Sequence, residues 1–258
     1  MVRVGAERKA AALRELHRPG DPLLLANVWD VASAKMVEEL GYAAVATSSA
    51  AVAHALGEQD ADVMPPDAAF GVVERVAKAV AVPVTADLEA GYRLPAEELV
   101  RGLLAAGAVG LNLEDSDHHG PGALVDVEEQ AERLAAVRVA ARKAGVEVVI
   151  NARVDTYVRH VGDADTQLRE GIRRGRAYLE AGADCVYPIM IQDAKAIGAF
   201  VDGVGGPVNV NLRSGSPPLT VLRQLNVARV SLGGGLFRFA MNAARDAGRA
   251  LLEGTLFG

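Results

Sequence analysis

Short apolar runs recur along the 258-residue chain, and each is separated from the next by a segment long enough to form a helix. Runs of this length, bounded by turn residues, are typical of strands covered on both faces of a parallel sheet. The runs lie at residues 23–26, 43–46, 82–86, 109–113, 147–150, 185–187, 208–210 and 229–232. The pattern therefore predicts eight strands that alternate with helices.

The segment 127–144 gives the clearest helical pattern, because its apolar residues recur with the spacing of one helix face. Asp126 can cap its amino end, and Gly145 stands where a helix finishes in a left-handed residue. Glycine also separates a helix from the next strand at three further places, Gly41, Gly107 and Gly182. This punctuation supports the alternation of helices and strands.

Strands that alternate with helices pair in parallel through crossover connections. The length of the chain and its 50% hydrophobic content favour one sizeable core, so we expect a single (β/α)8 TIM barrel over residues 1–258. An open doubly wound sheet is the alternative, but no Gly-x-Gly-x-x-Gly turn follows the first strand. An amphipathic segment at residues 1–17 predicts an additional amino-terminal helix.

The net charge of −6 is spread along the chain without a basic run, which argues against a nucleic-acid partner. We expect neither a secretory signal nor a membrane span, since no segment has the required apolar stretch. The single cysteine, Cys185, lies in an apolar run, which favours a small buried hydrophobe over a nucleophile. One cysteine forms no internal disulfide and suits a cytoplasmic protein.

In a barrel, the segments that follow the strands build the active site at the carboxyl ends of those strands. Here these segments are strongly polar. They supply Asn27, Trp29, Asp30, Ser48, Ser49, Asp87, Glu89, Glu114, Asp115, Arg153, Asp155, Asn211 and Arg213. The sequence therefore predicts a polar site at this end of the barrel.

Three of these acids suggest a metal site. If the extended backbone persists through Leu88, the carboxylates of Asp87 and Glu89 project to one side, and Glu114 arrives from the neighbouring strand. Converging carboxylates repel one another unless a cation holds them together, and oxygen-only ligands favour Mg²⁺ or Mn²⁺. Spacing alone equally permits separate helix caps or salt-bridge partners.

Six segments together carry a resemblance to a known family. They are Asn-Val-Trp-Asp-Val-Ala-Ser-Ala at 27–34, Thr-Ser-Ser-Ala at 47–50, Gly-Glu-Gln-Asp at 57–60, Asp-Leu-Glu-Ala-Gly-Tyr at 87–92, Leu-Glu-Asp at 113–115 and Asn-Ala-Arg-Val-Asp at 151–155. In order and spacing the chain resembles the isocitrate lyase and phosphoenolpyruvate mutase superfamily over nearly its whole length. The resemblance implies a metal-dependent lyase of that type.

The resemblance also implies roles for individual residues. Asp87 matches the metal-binding aspartate, and Glu89 and Glu114 match acids that hold the metal directly or through water. Arg153 matches the arginine that contacts the substrate, with Asp60 beside it in a catalytic role. Ser48, Ser49 and Ala50 fall where the family binds a substrate carboxylate. Together with Asp87 and Arg153, and with Trp29 and Asn211 from the residues that follow the strands, they form the expected substrate-binding set. Trp29 can equally pack across the barrel mouth, and Arg153 can equally form a structural salt bridge to Asp155.

The segment after the fourth strand departs from the family pattern. It reads Ser-Asp-His-His-Gly-Pro-Gly-Ala at 116–123, without the cysteine of isocitrate and methylisocitrate lyases or the asparagine of the mutases. These absences argue against both activities. His118 and His119 are candidate proton donors. They could equally be solvent-exposed loop residues without a catalytic role. Pro188, Ile189 and Met190 predict a more apolar wall after the sixth strand.

The leading hypothesis is an Mg²⁺-dependent lyase, decarboxylase or hydrolase. It would cleave the carbon–carbon bond next to the carbonyl of a small, oxaloacetate-like 2-oxo carboxylate, through an enolate that the metal stabilises. Carbon–phosphorus chemistry is the first alternative, as in a phosphonopyruvate hydrolase or a phosphonomutase of the carboxyphosphonoenolpyruvate type. A barrel that binds a carboxylate without turning it over is the second.

Relatives in this superfamily are commonly tetramers that exchange their last helix between neighbouring subunits. The present chain has apolar residues that could serve such an exchange in a homodimer or homotetramer, and they could equally pack against their own barrel. They are Leu236, Phe237, Phe239, Met241, Leu251, Leu252 and Phe257. We expect a homo-oligomer whose other partners are small carboxylate or phosphonate substrates, with no nucleic acid and no membrane.

Overall fold

The computed structural model describes residues 2–256 of the chain. Within them the strands are β1 (Leu23–Leu25), β2 (Asn27–Val28), β3 (Val45–Thr47), β4 (Val84–Asp87), β5 (Gly110–Glu114), β6 (Val149–Val154), β7 (Cys185–Pro188), β8 (Asn209–Asn211) and β9 (Arg229–Ser231). The helices are α1 (Val2–Glu15), α2 (Val31–Glu39), α3 (Ser49–Leu56), α4 (Pro66–Ala79), α5 (Ala96–Ala105), α6 (Val127–Ala144), α7 (Ala164–Glu180), α8 (Ala194–Val204), α9 (Leu219–Gln224) and α10 (Gly235–Leu252). Met1 of the predicted first helix and Phe257 of the apolar set lie outside the described residues.

The strands form a closed parallel barrel. The ladders run in the order β2-β3-β4-β5-β6-β7 and β1-β9-β8, and a bridge between Val186 and Val208 joins β7 to the start of β8. Only Ala26, the last residue of the first predicted run, separates β1 from β2. β1 pairs with β9, and β2, which lies beyond the predicted run, pairs with β3. This split closes the ring at eight positions. The predicted (β/α)8 TIM barrel is confirmed.

Several strands extend further toward their carboxyl ends than the apolar runs predict. The reason is that ladder pairing continues into the polar residues, where Asp87 on β4 is in register with Asn112 and Glu114 on β5 is in register with Arg153. These side chains were expected in loops. Because they stand on paired strands instead, their backbones are fixed by the barrel.

The predicted helix over residues 127–144 is confirmed as α6. The Asp126 side chain accepts a hydrogen bond from the Glu128 backbone, and Gly145 adopts a left-handed φ of 74°. The other three glycines are also left-handed, with φ values of 87° at Gly41, 85° at Gly107 and 102° at Gly182. A left-handed residue ends each of these helices, as the punctuation predicted.

Helix α1 covers the amino-terminal end of the barrel. Leu13 on α1 is fully buried, and a β-carbon added at Gly110 would lie 2.8 Å from its side chain. His17 follows α1 and is also buried, next to Arg229 inside the barrel. The opposite end of the barrel, where the strands finish, is therefore the open one.

Candidate active site

Two adjoining cavities lie at the carboxyl ends of the strands. The first, of about 310 Å³, is lined by residues that include Asn27, Ser48, Ala50, Asp87, Asn112, Tyr187, Ile189, Met190, Ser231 and Gly233. The second, of about 250 Å³, is lined by residues that include Glu89, Glu114, Ser116, His118 and Arg159. Ser49, Asp60, Arg153 and Val158 line both cavities. Larger cavities of about 360 and 410 Å³ lie near α1 and α10, but neither contains a cluster of acids.

Asp87 is held in place from three sides at the end of β4. Its Oδ2 accepts hydrogen bonds from the backbone N–H of Ser49 at 3.1 Å and from the Ser49 hydroxyl at 3.0 Å. Its Oδ1 accepts from the Asn112 side chain at 3.3 Å. Its own N–H donates to the Thr47 hydroxyl at 3.0 Å. The Asp87 carboxylate is therefore oriented before any ligand binds.

Glu89 does not continue the extended geometry of β4, so the premise on which Asp87 and Glu89 were expected to project to one side does not hold. The backbone turns after Asp87 and gives Glu89 a left-handed φ of 51°. Its Oε2 accepts from the backbone N–H of Ala61 at 2.7 Å and makes a second, very short hydrogen bond with that of Asp62. Its buried Oε1 has no partner among the described residues. Burial, reinforced by Asp60 and Asp87, raises the pKa of Glu89 to about 7.

Glu114 lies between a histidine and an arginine. Its Oε1 is 2.6 Å from Nε2 of His118, and its Oε2 forms a close ion pair with Arg153. Burial raises the pKa of Glu114 well above its usual range, although Arg153 opposes this. Arg153 also donates two hydrogen bonds of 2.7 Å to Asp155. Arg153 thus forms the salt bridge to Asp155 and also lines both cavities.

Asp60 reaches the acids from the segment after α3. Burial, with Asp87 next, raises the pKa of Asp60. Its side chain lines the second cavity together with Ser49 and Glu89. Carboxyl groups gathered in one cavity repel one another unless a proton or a cation lies between them.

The acids fit a small, hard dication by their chemistry. All their donor atoms are oxygens, and Glu89 keeps one buried oxygen without a partner. No three His, Cys, Asp or Glu side chains within residues 4–256 form a ready ligand set. Glu114 is engaged by His118 and Arg153 in this arrangement. Water ligands would have to complete the coordination of a bound ion.

The segment at residues 116–123 folds over the second cavity. Asp117 organises it by accepting hydrogen bonds from the backbone N–H groups of His119, Gly120 and Gly122. His118 lines the cavity, and burial, with Arg159 next, lowers its pKa. His119 instead lies 2.9 Å from Asp62 and is not among the residues lining either cavity.

Two predicted substrate-binding residues lie outside the cavity linings. Trp29 packs edge-on against Phe237, with ring centroids 5.1 Å apart. Asn211 is buried at the end of β8. Ile189 and Met190 do form an apolar wall of the first cavity, as expected from the sequence.

Other lining residues did not stand out in the sequence. They are Asn112, Ser116, Tyr157, Arg159, His160, Tyr187 and Ser231. Polar residues inside otherwise apolar runs were the available signal for Asn112 and Ser231. Arg159 stands six positions after Arg153, beyond the end of β6, and nothing in the local pattern marks it.

The sequence profile of the phosphoenolpyruvate phosphomutase family matches residues 13–252. The chain therefore belongs to that family and is an enzyme of the isocitrate lyase and phosphoenolpyruvate mutase superfamily. It is 30% identical to an uncharacterized protein of Mycobacterium tuberculosis, over 94% of this chain and 90% of that protein. It is 28% identical to the 2-methylisocitrate lyase of Escherichia coli, over 84% and 78% of the two chains.

Solved structures of related proteins share the fold. A Burkholderia cenocepacia protein provisionally assigned as a phosphonomutase is 38% identical, with a TM-score of 0.87 over 96% of this chain and 99% of that one. A phosphonopyruvate hydrolase in complex with oxalate and Mg²⁺ is 26% identical, with a TM-score of 0.82 over 95% and 88%. No helix within residues 2–256 of the present chain is long and apolar enough to cross a membrane.

Proposed function

We propose that this enzyme uses Mg²⁺, or Mn²⁺, to cleave the carbon–carbon bond next to the carbonyl of a small, oxaloacetate-like 2-oxo carboxylate. The observation that carries the proposal is the gathering of Asp60, Asp87, Glu89, Glu114 and Arg153 around two adjoining cavities. Acids that lie close together at a barrel mouth and have raised pKa values are typical of a catalytic or ligand-binding site.

The substrate carboxylate would bind at the amino terminus of α3. Ser48 caps this helix, and Ser48, Ser49 and Ala50 all line the first cavity. The N–H groups of Ser49 and Ala51 donate to Asp87 and Ser48, so the N–H of Ala50 and the helix dipole would receive the anion. Gly233 and Gly234 line the same cavity, where their backbone can approach a ligand closely.

Asp87 would hold the metal directly, and Glu89 and Glu114 would hold it directly or through water. The Mg²⁺ and oxalate bound in the related phosphonopyruvate hydrolase support this assignment. When bound, the dication supplies Lewis-acid stabilisation of the negative charge that develops on the 2-oxo oxygen. Ser49 and Asn112 keep the Asp87 carboxylate oriented through their hydrogen bonds.

Arg153 would contribute a fixed positive charge to the reacting centre, held in place by Asp155. We assign His118 as the proton donor because it is the loop histidine that lines a cavity. Its Nδ1 lies 3.3 Å from the Arg159 guanidinium, which can only donate, so the proton of the neutral ring sits on Nε2, which lies 2.6 Å from Glu114. His119, in the same segment as His118, and Asp60, which lines both cavities, would assist the proton transfer.

Carbon–phosphorus cleavage is the second candidate function. It is supported by the similarity to the provisionally assigned phosphonomutase and to the phosphonopyruvate hydrolase. The absence of an asparagine and a cysteine in the segment 116–123 favours hydrolysis or decarboxylation over mutase or methylisocitrate lyase activity.

We also propose that the enzyme is a homo-oligomer in which α10 packs on a neighbouring subunit. Gly235 is the only buried residue of α10 in the described chain. Phe239 is 72% exposed, Leu251 is 67% exposed and Leu252 is 91% exposed. An apolar set this exposed would be covered by a second copy of the chain.

Turnover assays test the enzymatic proposal. Oxaloacetate and substituted 2-oxo diacids, assayed with Mg²⁺, should give 2-oxo or oxalate products, and Asp87→Ala should lower kcat/KM by a factor of about 100 or more. Asp202→Ala, at an exposed site on α8, is the matched control and should retain activity. If Asp87→Ala turns the substrate over as fast as the wild type, the proposed metal-dependent mechanism is wrong. Phosphate release from phosphonopyruvate would instead favour the second candidate.

A further inference from the structure

Arg159 is a cation of the second cavity without an acidic partner. Its Nε donates to the Ser116 hydroxyl at 2.9 Å, and its Nη2 lies 3.3 Å from Nδ1 of His118. Its Nη1 makes no hydrogen bond, and no carboxylate in the described part of the chain lies within ion-pair distance of Arg159. The side chain is half-buried, so its charge is only partly solvated.

Arg153, the other arginine of the site, has the opposite surroundings. Its charge is balanced by Asp155 and by Glu114. The charge of a guanidinium that contacts two carboxylates is already neutralised. A guanidinium with neutral partners instead gains a charge-assisted hydrogen bond from an anion that enters the cavity. Arg159 is therefore the more available cation for a second anionic group of a ligand.

The two cavities adjoin, which allows one ligand to use both. Ser49, Asp60 and Arg153 line the boundary between them. A ligand with its 2-oxo carboxylate at the α3 amino terminus in the first cavity can extend past Arg153 into the second. Ser116 and His118 hold Arg159 in the wall of that second cavity.

We propose that Arg159 recognises a second acid group, a carboxylate or a phosphonate, at the far end of the substrate. An oxaloacetate-like substrate already carries two acid groups, so the inference concerns which residue binds the second one. This inference rests on the proposed function, because it assumes that the 2-oxo carboxylate half occupies the first cavity. Arg159 acts as a specificity residue, and its role is separable from the metal site.

The test uses two ligands that share the first half and differ in the second. Oxalate is compact, whereas 3,3-difluorooxaloacetate carries an additional carboxylate. Titration calorimetry with Mg²⁺ on the full chain should show that Arg159→Gln weakens binding of 3,3-difluorooxaloacetate by a factor of about 10 to 100. Oxalate affinity should change by a factor of less than about 3. Arg159→Lys should keep part of the affinity for the larger ligand, and Arg169→Gln, at an exposed site on α7, should match the wild type.

Equal weakening of both ligands by Arg159→Gln would overturn the inference, since it would show that Arg159 only holds the segment 116–123 in place. Unchanged binding of both would overturn it as well. In either case Mg²⁺-dependent oxalate binding by the wild type would leave the proposed function intact. A wild type that binds neither ligand would contradict both proposals. Phosphonopyruvate, tested in the same way, shows whether the second acid group is a phosphonate or a carboxylate.

Discussion

Arg153 donates hydrogen bonds of 2.7 Å from Nε and Nη2 to the two carboxylate oxygens of Asp155, which is completely buried. Asp155 is itself anchored, because its N–H donates to the Asp115 side chain at 2.8 Å and its Oδ2 accepts from the Ser116 hydroxyl. The planar fork of the guanidinium is thereby fixed in one orientation at the cavity wall.

Asp155→Asn should lower both stability and activity. The amide keeps the shape but removes a buried negative charge, which leaves part of the Arg153 charge uncompensated, and the free energy of unfolding should fall by about 3 kcal/mol. Urea denaturation measures the loss, and kcat/KM should fall with it because Arg153 is no longer held. Asp246→Asn, in an exposed ion pair with Arg249, should cost less than about 0.5 kcal/mol. Equal losses in the two variants would contradict this account of Asp155.

The stability of the protein should fall in acid because of His17. Its Nδ1 lies 2.9 Å from the Leu13 carbonyl and its Nε2 lies 3.5 Å from Arg229, so the ring is neutral and donates from Nδ1. Burial, with Arg229 next, lowers the pKa of His17 from 6.5 to about 4. Between these two values the unfolded chain binds more protons than the folded one. The contribution of His17 is therefore complete above pH 6.5 and is lost as the pH falls toward 4, to a total of about 3 kcal/mol.

Denaturant unfolding at a series of pH values measures this slope. His17→Gln cannot take up the proton and should flatten the curve in that window. His54→Gln, at an exposed site on α3, should leave the curve unchanged. A slope that persists in His17→Gln would assign the acid sensitivity to other groups.

Mg²⁺ should stabilise the folded protein through the acids at the barrel mouth. A ligand that binds only the native state at 100 times its Kd adds about 2.7 kcal/mol of stability. Thermal unfolding should therefore shift upward with Mg²⁺ in the wild type and in Asp202→Ala, and EDTA should reverse the shift. Asp87→Ala should show little or no shift. A full shift in Asp87→Ala would place the ion elsewhere.

The proposed oligomer predicts a charge-sensitive surface on α10. Phe239→Glu would place a carboxylate in an apolar interface, so light scattering coupled to size-exclusion chromatography should show a smaller particle than the wild type. Asn242→Asp is the control, because Asn242 is exposed and lies on the polar face of α10 with Arg238 and Arg249. A wild type with the mass of one chain would reject the oligomer.

The alternation of apolar runs and helices was sufficient to predict the barrel, because each strand of a closed parallel barrel is buried on both faces. It was insufficient at the ends of the strands. Whether the ladder continues into a polar residue such as Glu114 depends on its register with Arg153, which is a tertiary property. The left-handed conformation at Glu89 likewise has no sequence signal, because the residue is not a glycine.

The polar residues inside the barrel were also hidden. Arg229 lies in an apolar run and is nevertheless fully buried, where it donates to Asn112 at 3.2 Å. Asn112 in turn donates to Asp87. Apolar neighbours in sequence gave no indication of this chain of contacts, since a barrel strand directs alternate side chains inward. Arg159 was missed for a different reason. Its charge is available to a ligand only because no acid lies near it in the folded structure, and the sequence does not show this.

A crystal structure of the protein with Mg²⁺ and oxalate is the most direct test of the proposed metal site. The account predicts an ion with an Asp87 oxygen at about 2.1 Å and oxalate bound between that ion and the amino terminus of α3. Glu89 and Glu114 should face the ion directly or through water. Density that shows neither ion nor oxalate beside Asp87, at ligand concentrations that saturate the related hydrolase, would contradict it.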